Sequence, residues 1–408
     1  MSENITAIEI VGKEALDNPA GYFGKLRDQQ PVFWDERHKS WVITSYPMIT
    51  AALRNPAFSS DRISPYIRAK LSGSDVDPLK RQVFDVLADW MVFNDEPKHM
   101  RLRGLLSKAF TIKSVDSLRN RVETLTRDLI EKTPKTGKFD LMEYIAAPLP
   151  SIIIAELLGV PPEDRSKFES WTYKVAPLVS GGLEDPSRYE VAAKGMDELL
   201  GYFKTLINRY ETTPEDNLIT ALIQARDEGD RLSTSELLAT CTLVLFGGHE
   251  TTANLIANSI RNLLLHPDQL ERLKNGLVDD QAAIEECLRY DGPGKALTRL
   301  IAEDIEFEGH SFKAGQRVFL ILAAANRDPN FFANPEDFIL DREMPHRHMA
   351  FGQGSHFCMG THLARLEASI AIPMIVRSLP PFKLVNEQGD WIPVLLTRGL
   401  KTLWVEYI

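Results

Sequence analysis

The sequence predicts a mainly α protein with small, peripheral β sheets, and three observations carry that prediction. From about residue 100 to 290, apolar positions recur three and four apart with little strand-like alternation. Ser233-Thr-Ser-Glu236 is a capping box, and no strong stop follows until His266-Pro267. A helix of some 30 residues, a rod of ~45 Å, is expected between them. Strand-like text is confined to Val32 to Trp34 and Trp41 to Thr44 near the start, and to IEFEG, GQRVFLIL and FKLV after Arg299.

The 408 residues contain no repeat, low-complexity tract or Gly/Ser-rich linker, so one domain spanning residues 1–408 is the simplest organisation. Residues 60–90 and 175–190 have weaker periodicity with Gly, Pro and Ser, as surface segments do, and are candidates for substrate entry. Fifty-seven acidic side chains against 47 basic ones give a net charge of -10, which opposes non-specific binding to nucleic acid or an anionic membrane. MSENITAIEI lacks the features of a signal peptide, and no apolar run reaches about 18 residues, so a cytoplasmic protein is expected. Cys241, Cys287 and Cys358 form no CxxC pair and no zinc-site spacing.

One of the three cysteines has telling neighbours, in Phe351-Gly-Gln-Gly-Ser-His-Phe-Cys-Met-Gly360. Gly352 and Gly354 let the backbone turn close to a flat macrocycle. Cys358 stands where the start of the next helix would meet it with free N–H groups and a positive dipole end, which favour thiolate. The ten residues resemble the haem-binding loop of the cytochrome P450 family. The resemblance runs from about residue 90 to the end, through ANRDP at Ala325 to Pro329, and is looser before that. It implies the cytochrome P450 fold of a soluble bacterial-type member, with a long central helix over the haem, and haem b as cofactor with Cys358 as iron ligand. Phe351 would shield the sulfur, Gly360 would let the helix pass close to the porphyrin, and His356 would meet a propionate.

The resemblance gives roles to further residues. In the long helix, Gly247-Gly-His-Glu-Thr-Thr252 keeps two glycines that cost about 1 kcal/mol each relative to alanine. Family members open a groove for dioxygen here. Gly247 and Gly248 would supply bare backbone, Glu250 would relay protons, and Thr251 would hydrogen-bond the bound dioxygen. His249 has no assigned role. Glu286 and Arg289 form the family's structural ExxR pair, with Arg342, His346 or Arg347 as third partner. His99, Arg103 and Arg299 join His356 as haem-propionate partners. Leu243, Val244, Ala296, Leu297, Leu395 and Leu396 would line the substrate pocket, an aliphatic set suited to a hydrophobic small molecule. Gly294 and Lys295 depart from a stretch that is often apolar in relatives.

The implied activity is monooxygenation, by default hydroxylation with one atom of O2. The chain shows no flavin, nucleotide or iron–sulfur segment, so a ferredoxin or flavodoxin with its reductase would supply electrons, docking near Arg101, Lys108, Arg347 and Arg365. Two alternatives remain: a peroxide-driven peroxygenase, which would normally dispense with the Glu250 and Thr251 pair, and a haem-binding sensor without catalysis.

Overall fold

The computed structural model describes residues 8–73, 75–180, 187–225, 229–343 and 347–408. It divides into two compact units. The first comprises the chain up to Phe58, Leu118–Leu149 and Thr251–Ile408; the second comprises Ser59–Ser117 and Pro150–Glu250.

In the first unit, Val32–Asp35 and Ser40–Ile43 form an antiparallel hairpin. Its turn places Lys39 at φ 48 and packs Trp34 against Trp41 with ring centroids 5.6 Å apart. Ser40–Ile43 runs parallel to Arg317–Leu320, which is antiparallel to Leu297–Ile301. The apolar faces of this sheet are buried on both sides. One core gathers Ile43, Phe58, Phe312, Val318 and Met349, and another gathers Phe23, Phe33, Val42, Ala296, Phe319 and Leu395. A smaller sheet orders Lys138–Asp140, Trp404–Tyr407 and Phe382–Leu384 side by side. Helices Arg119–Glu131, Asp280–Asp291 and Thr361–Ser378 are among those of the unit. The expected strands therefore form, and they are short because each alternating run is only three to five residues long.

The second unit is helical: Pro78–Asp89, Arg165–Val179 and Arg188–Thr212 share a core of Val83, Phe84, Trp90, Val175, Met196 and Ala239, and Lys98–Ala109 is a further helix of the unit. Trp90 is fully buried and donates its indole N–H to the Thr242 hydroxyl at 2.9 Å, so its one polar atom is satisfied. The capping box is formed as the sequence predicts: Glu236 N–H donates to Ser233 Oγ at 3.3 Å and Ser233 N–H to the Glu236 carboxylate at 2.9 Å. The helix it starts runs from Thr234 to Leu265, and the division between the units falls within it.

Residues 60–90 are more regular than their weak periodicity suggests, forming helices Ser64–Lys70 and Pro78–Asp89. Each has a proline in its first turn, and Asp77 caps the second by accepting the Leu79 N–H. Of the other entry candidate, residues 181–186 lie outside the described residues.

Candidate functional site

The loop around Cys358 belongs to the first unit. Gly352 and Gly354 sit at φ +69 and +75, in the left-handed region that a side chain resists. A Cβ on Gly354 would also crowd the Leu53 carbonyl oxygen at 3.2 Å, so two features favour glycine there. The Gly352 N–H donates to Met349 O at 2.9 Å, and the Cys358 N–H donates to Phe351 O at 3.0 Å, which closes the loop on itself. Cys358 is exposed, whereas Cys241 and Cys287 are buried and burial pushes each thiol up to about 12. Only Cys358, of the three, offers a sulfur for ligation. Its position needs one correction: the next helix starts at Thr361 with Gly360 as N-cap, and the Cys358 N–H is already bonded to Phe351. The cysteine therefore stands in the turn before the helix, not in its first turn.

Two adjacent glutamates of helix Asp280–Asp291 hold the chain on either side of this loop. Glu286, fully buried, receives Arg289 in a bidentate pair at 2.7 and 2.8 Å, and Arg342 Nε at 3.1 and 3.2 Å. Arg342 is thus the third partner of the ExxR pair. Of the other candidates, Arg347 lies over the Phe331 ring and His346 lies outside the described residues. Glu285 receives Arg365 through two bonds of 2.6 and 2.8 Å and His348 Nε2 at 3.1 Å. Burial would raise the Glu285 carboxyl, but the hydrogen bonds from Arg365 and His348 overcome it and hold the group well below the usual carboxylate range.

His348 in turn accepts the Ala350 N–H on Nδ1 at 3.2 Å, and the Arg365 guanidinium lies 4.7 Å from the centroid of the Phe351 ring. A cation–π contact and a ring hydrogen bond therefore fix the residues that enter the cysteine loop. Sequence reasoning missed this second cluster, and no local motif marks it. Of the expected docking cations, Arg365 is paired with Glu285, and Arg101 with Asp230 and Glu236.

Elsewhere in the first unit, Arg299 is buried and donates to Thr298 O at 2.9 Å, and His356 ends a single 3-10 turn, Gly354–His356. Ala296 and Leu395 are packed inside the Phe33–Phe319 core, with Leu396 half-buried beside them, and Leu297 packs against the neighbouring core. Thr251 is half-buried. Most of the expected first-unit residues thus fall in two stretches of chain, 285–299 and 342–365.

In the second unit, His99 is buried with Nδ1 3.2 Å from Glu96, and Arg103 and Glu250 are half-buried. Leu243 packs against the Trp90 core, and Val244 is half-buried. The two glycines differ. Gly247 has open space where a Cβ would stand, whereas a Cβ on Gly248 would come within 2.7 Å of the Ile154 side chain. Gly248 is a packing notch and Gly247 is not. Burial pushes the His249 imidazole down to about 4, so the ring is neutral at physiological pH.

An exposed thiol in a loop of left-handed glycines, braced by buried ion pairs, suits a protein that ligates a haem iron through sulfur, and these residues fit the group. The family model "Cytochrome P450" matches residues 31–278 and 280–392. The chain is 35% identical over 402 residues to the polyketide biosynthesis cytochrome P450 PksS of Bacillus subtilis, covering 96% of each. It is 36% identical to the monooxygenase PikC of Streptomyces venezuelae over 97% of this chain and 93% of that one. Among solved structures, P450BioI in complex with hexadec-9Z-enoic acid ligated acyl carrier protein matches at TM-score 0.89 and 32% identity, over 97% of this chain and 99% of that one. The chain belongs to the cytochrome P450 family, and is a haem b-dependent oxidoreductase of the monooxygenase class.

Proposed function

We propose that this protein hydroxylates a hydrophobic small molecule with one atom of O2, working as a single haem domain that takes electrons from a separate ferredoxin or flavodoxin and its reductase. The observation that carries the reading is the exposed sulfur of Cys358 in its closed glycine loop. Haem b, when bound, supplies the oxygen activation, and a thiolate ligand favours O–O cleavage, for which cytochromes P450 are the general example. The chain supplies binding and proton delivery. Cys358 would hold the iron, and Phe351, Gly352 and Gly360 would line the haem beside it. His99, Arg103, Arg299 and His356 would pair the propionates, and Glu250 would pass protons to the Thr251 hydroxyl beside Gly247 and Gly248. The aliphatic residues Leu243, Val244, Ala296, Leu297, Leu395 and Leu396 favour an apolar ligand.

Relatives named for polyketide biosynthesis and for 6-deoxyerythronolide B hydroxylation, and a neighbour holding an acyl-loaded carrier protein, support a large polyketide-like or acyl substrate. Reduction under carbon monoxide tests the ligand: a thiolate-type Soret band is expected, and an imidazole-type band overturns the reading. With ferredoxin, reductase and a substrate found by spectral titration, Thr251→Ala is expected to keep consuming NADH while losing most of the product. Product formation with peroxide alone, and none with NADH and ferredoxin, would favour the peroxygenase.

A further inference from the structure

The unusual pair Gly294-Lys295 lies in the first unit beside the segment that carries Leu395 and Leu396, and the two stretches are laced together. The N–H groups of Lys295 and Ala296 both donate to Leu396 O, at 2.9 and 3.2 Å, and the Arg398 N–H donates to Pro293 O at 2.8 Å. Gly294 bridges Thr397, and a Cβ there would stand 3.0 Å from the carbonyl of Ala350, the residue before the cysteine loop. The Lys295 side chain is only 2% exposed, and its ammonium donates to Val394 O at 2.7 Å. At the other end, the Arg398 guanidinium pairs with Asp291 and lies 3.5 Å from the Trp391 ring, while Asn258 donates to Arg398 O at 3.1 Å. Val394–Thr397 is thus fixed at both ends, by a buried ammonium and a buried guanidinium.

An apolar side chain at 295 would leave Val394 O without this donor. Taking an ammonium out of water is costly, so a lysine retained here should do something that a smaller donor or a hydrophobe would not. We propose that Lys295 is a positioning residue that sets substrate selectivity, its ammonium fixing the Val394 carbonyl and with it the line of the Val394–Thr397 wall. The proposal rests on the haem-thiolate reading and on the assignment of Leu395 and Leu396 to the substrate wall. Burial, with Arg398 nearby and only Asp291 opposing, pushes the Lys295 amine down to about 7. The acceptor is an uncharged main-chain carbonyl, so the segment is held by a hydrogen bond and not by an ion pair.

The test uses the ferric holoenzyme and Lys295→Met, which keeps an unbranched side chain without the N–H donors. Imidazole and the bulkier 4-phenylimidazole are titrated as iron-ligating probes, and the ratio of their dissociation constants is compared with the wild type. A change of about fivefold or more in that ratio, with the imidazole constant nearly unmoved, is expected. An unchanged ratio overturns the proposal, including the case in which only the melting temperature falls, because that marks a purely structural lysine. Should Lys295→Met fail to take up haem, the same ratio measured on Lys295→Leu, which also lacks the N–H donors, decides in the same way. A wild-type carbon monoxide spectrum without thiolate character would instead sink the haem reading and leave the lysine's tie to Val394 standing.

Discussion

Helices Asp280–Asp291 and Thr361–Ser378 both bury glutamates in the first unit, and they treat them in opposite ways. Glu285 and Glu286 together receive three guanidinium groups and an imidazole. Glu367, fully buried on the second helix, has no hydrogen-bond partner on either carboxyl oxygen among the described residues, and burial pushes its pKa well above the ordinary range. The same side chain is a charged clasp in one place and a neutral acid in the other. The lesson is that burial alone does not say whether a carboxyl is ionised; the cations placed around it do.

The largest effect should come from breaking the clasp at its centre. Glu286→Ala leaves Arg289 and Arg342 buried with their bonds to main-chain carbonyls but without their common anion. Removing one partner of such a buried pair costs about 3–5 kcal/mol. Urea unfolding and haem retention should both report it, and a loss below ~1 kcal/mol would mean that the carbonyls alone hold the two guanidiniums.

A buried cation without a counter-charge in contact offers the converse case. The Lys295 amine is pushed from 10.5 down to about 7, so between those pH values the unfolded state binds more protons than the folded state. Stability then rises with pH across that window, by at most ~1.4 kcal/mol per unit. Because other groups titrate there too, the measurement is the difference between wild type and Lys295→Met. That difference should move in favour of the wild type from pH 7 to 9, and a flat difference would place the amine's pKa near its ordinary value.

Glu285→Gln keeps the shape of the second clasp and removes its charge. A loss of about 1–3 kcal/mol is expected near neutral pH. The folded carboxyl is held below its ordinary value, so its contribution is present above the unfolded pKa and fades as the pH falls through the acid range. The gap between wild type and variant should therefore narrow on acidification in thermal melts. If Arg365 and His348 also brace the cysteine loop, the carbon monoxide complex of the variant should convert more readily to its inactive, non-thiolate form.

How far these arrangements could be read from the sequence depended on whether their partners are near in the chain. The capping box at Ser233 and Glu236, the glycines at 352 and 354 and the pairing of Glu286 with Arg289 are local, and each is formed. The helix from Pro78 was equally local, signalled by Asp77 and the proline, but its weak apolar period hid it. Nothing near Arg365 in sequence shows Glu285, 80 residues earlier, to be its partner. Lys295 stood out as a misfit, yet its purpose appeared only with Val394, 99 residues later. Composition and spacing reveal which groups are present; only packing decides which cation meets which anion.

The smallest effect belongs to Glu367→Gln. A carboxyl whose pKa is raised by burial is protonated in the fold while the unfolded chain releases its proton, so the wild type bears a cost that grows as pH rises above 4.5. The amide never ionises and escapes that cost, but it buries an N–H2 group without assured acceptors, for about 1–3 kcal/mol. Near neutral pH the two oppose each other, and a net change of ~1 kcal/mol or less is expected. Relative to the wild type, the variant should gain stability as the pH is raised from 5 to 7, the reverse of the sign expected for a clasped carboxylate such as Glu285. Melting curves against the wild type, from pH 5 to 7 for the Glu367 variant and below pH 4.5 for the Glu285 variant, would show the two slopes. A flat response of Glu367→Gln from pH 5 to 7 would mean that Glu367 is ionised in the fold, and that the contrast between the two helices is one of position and not of charge.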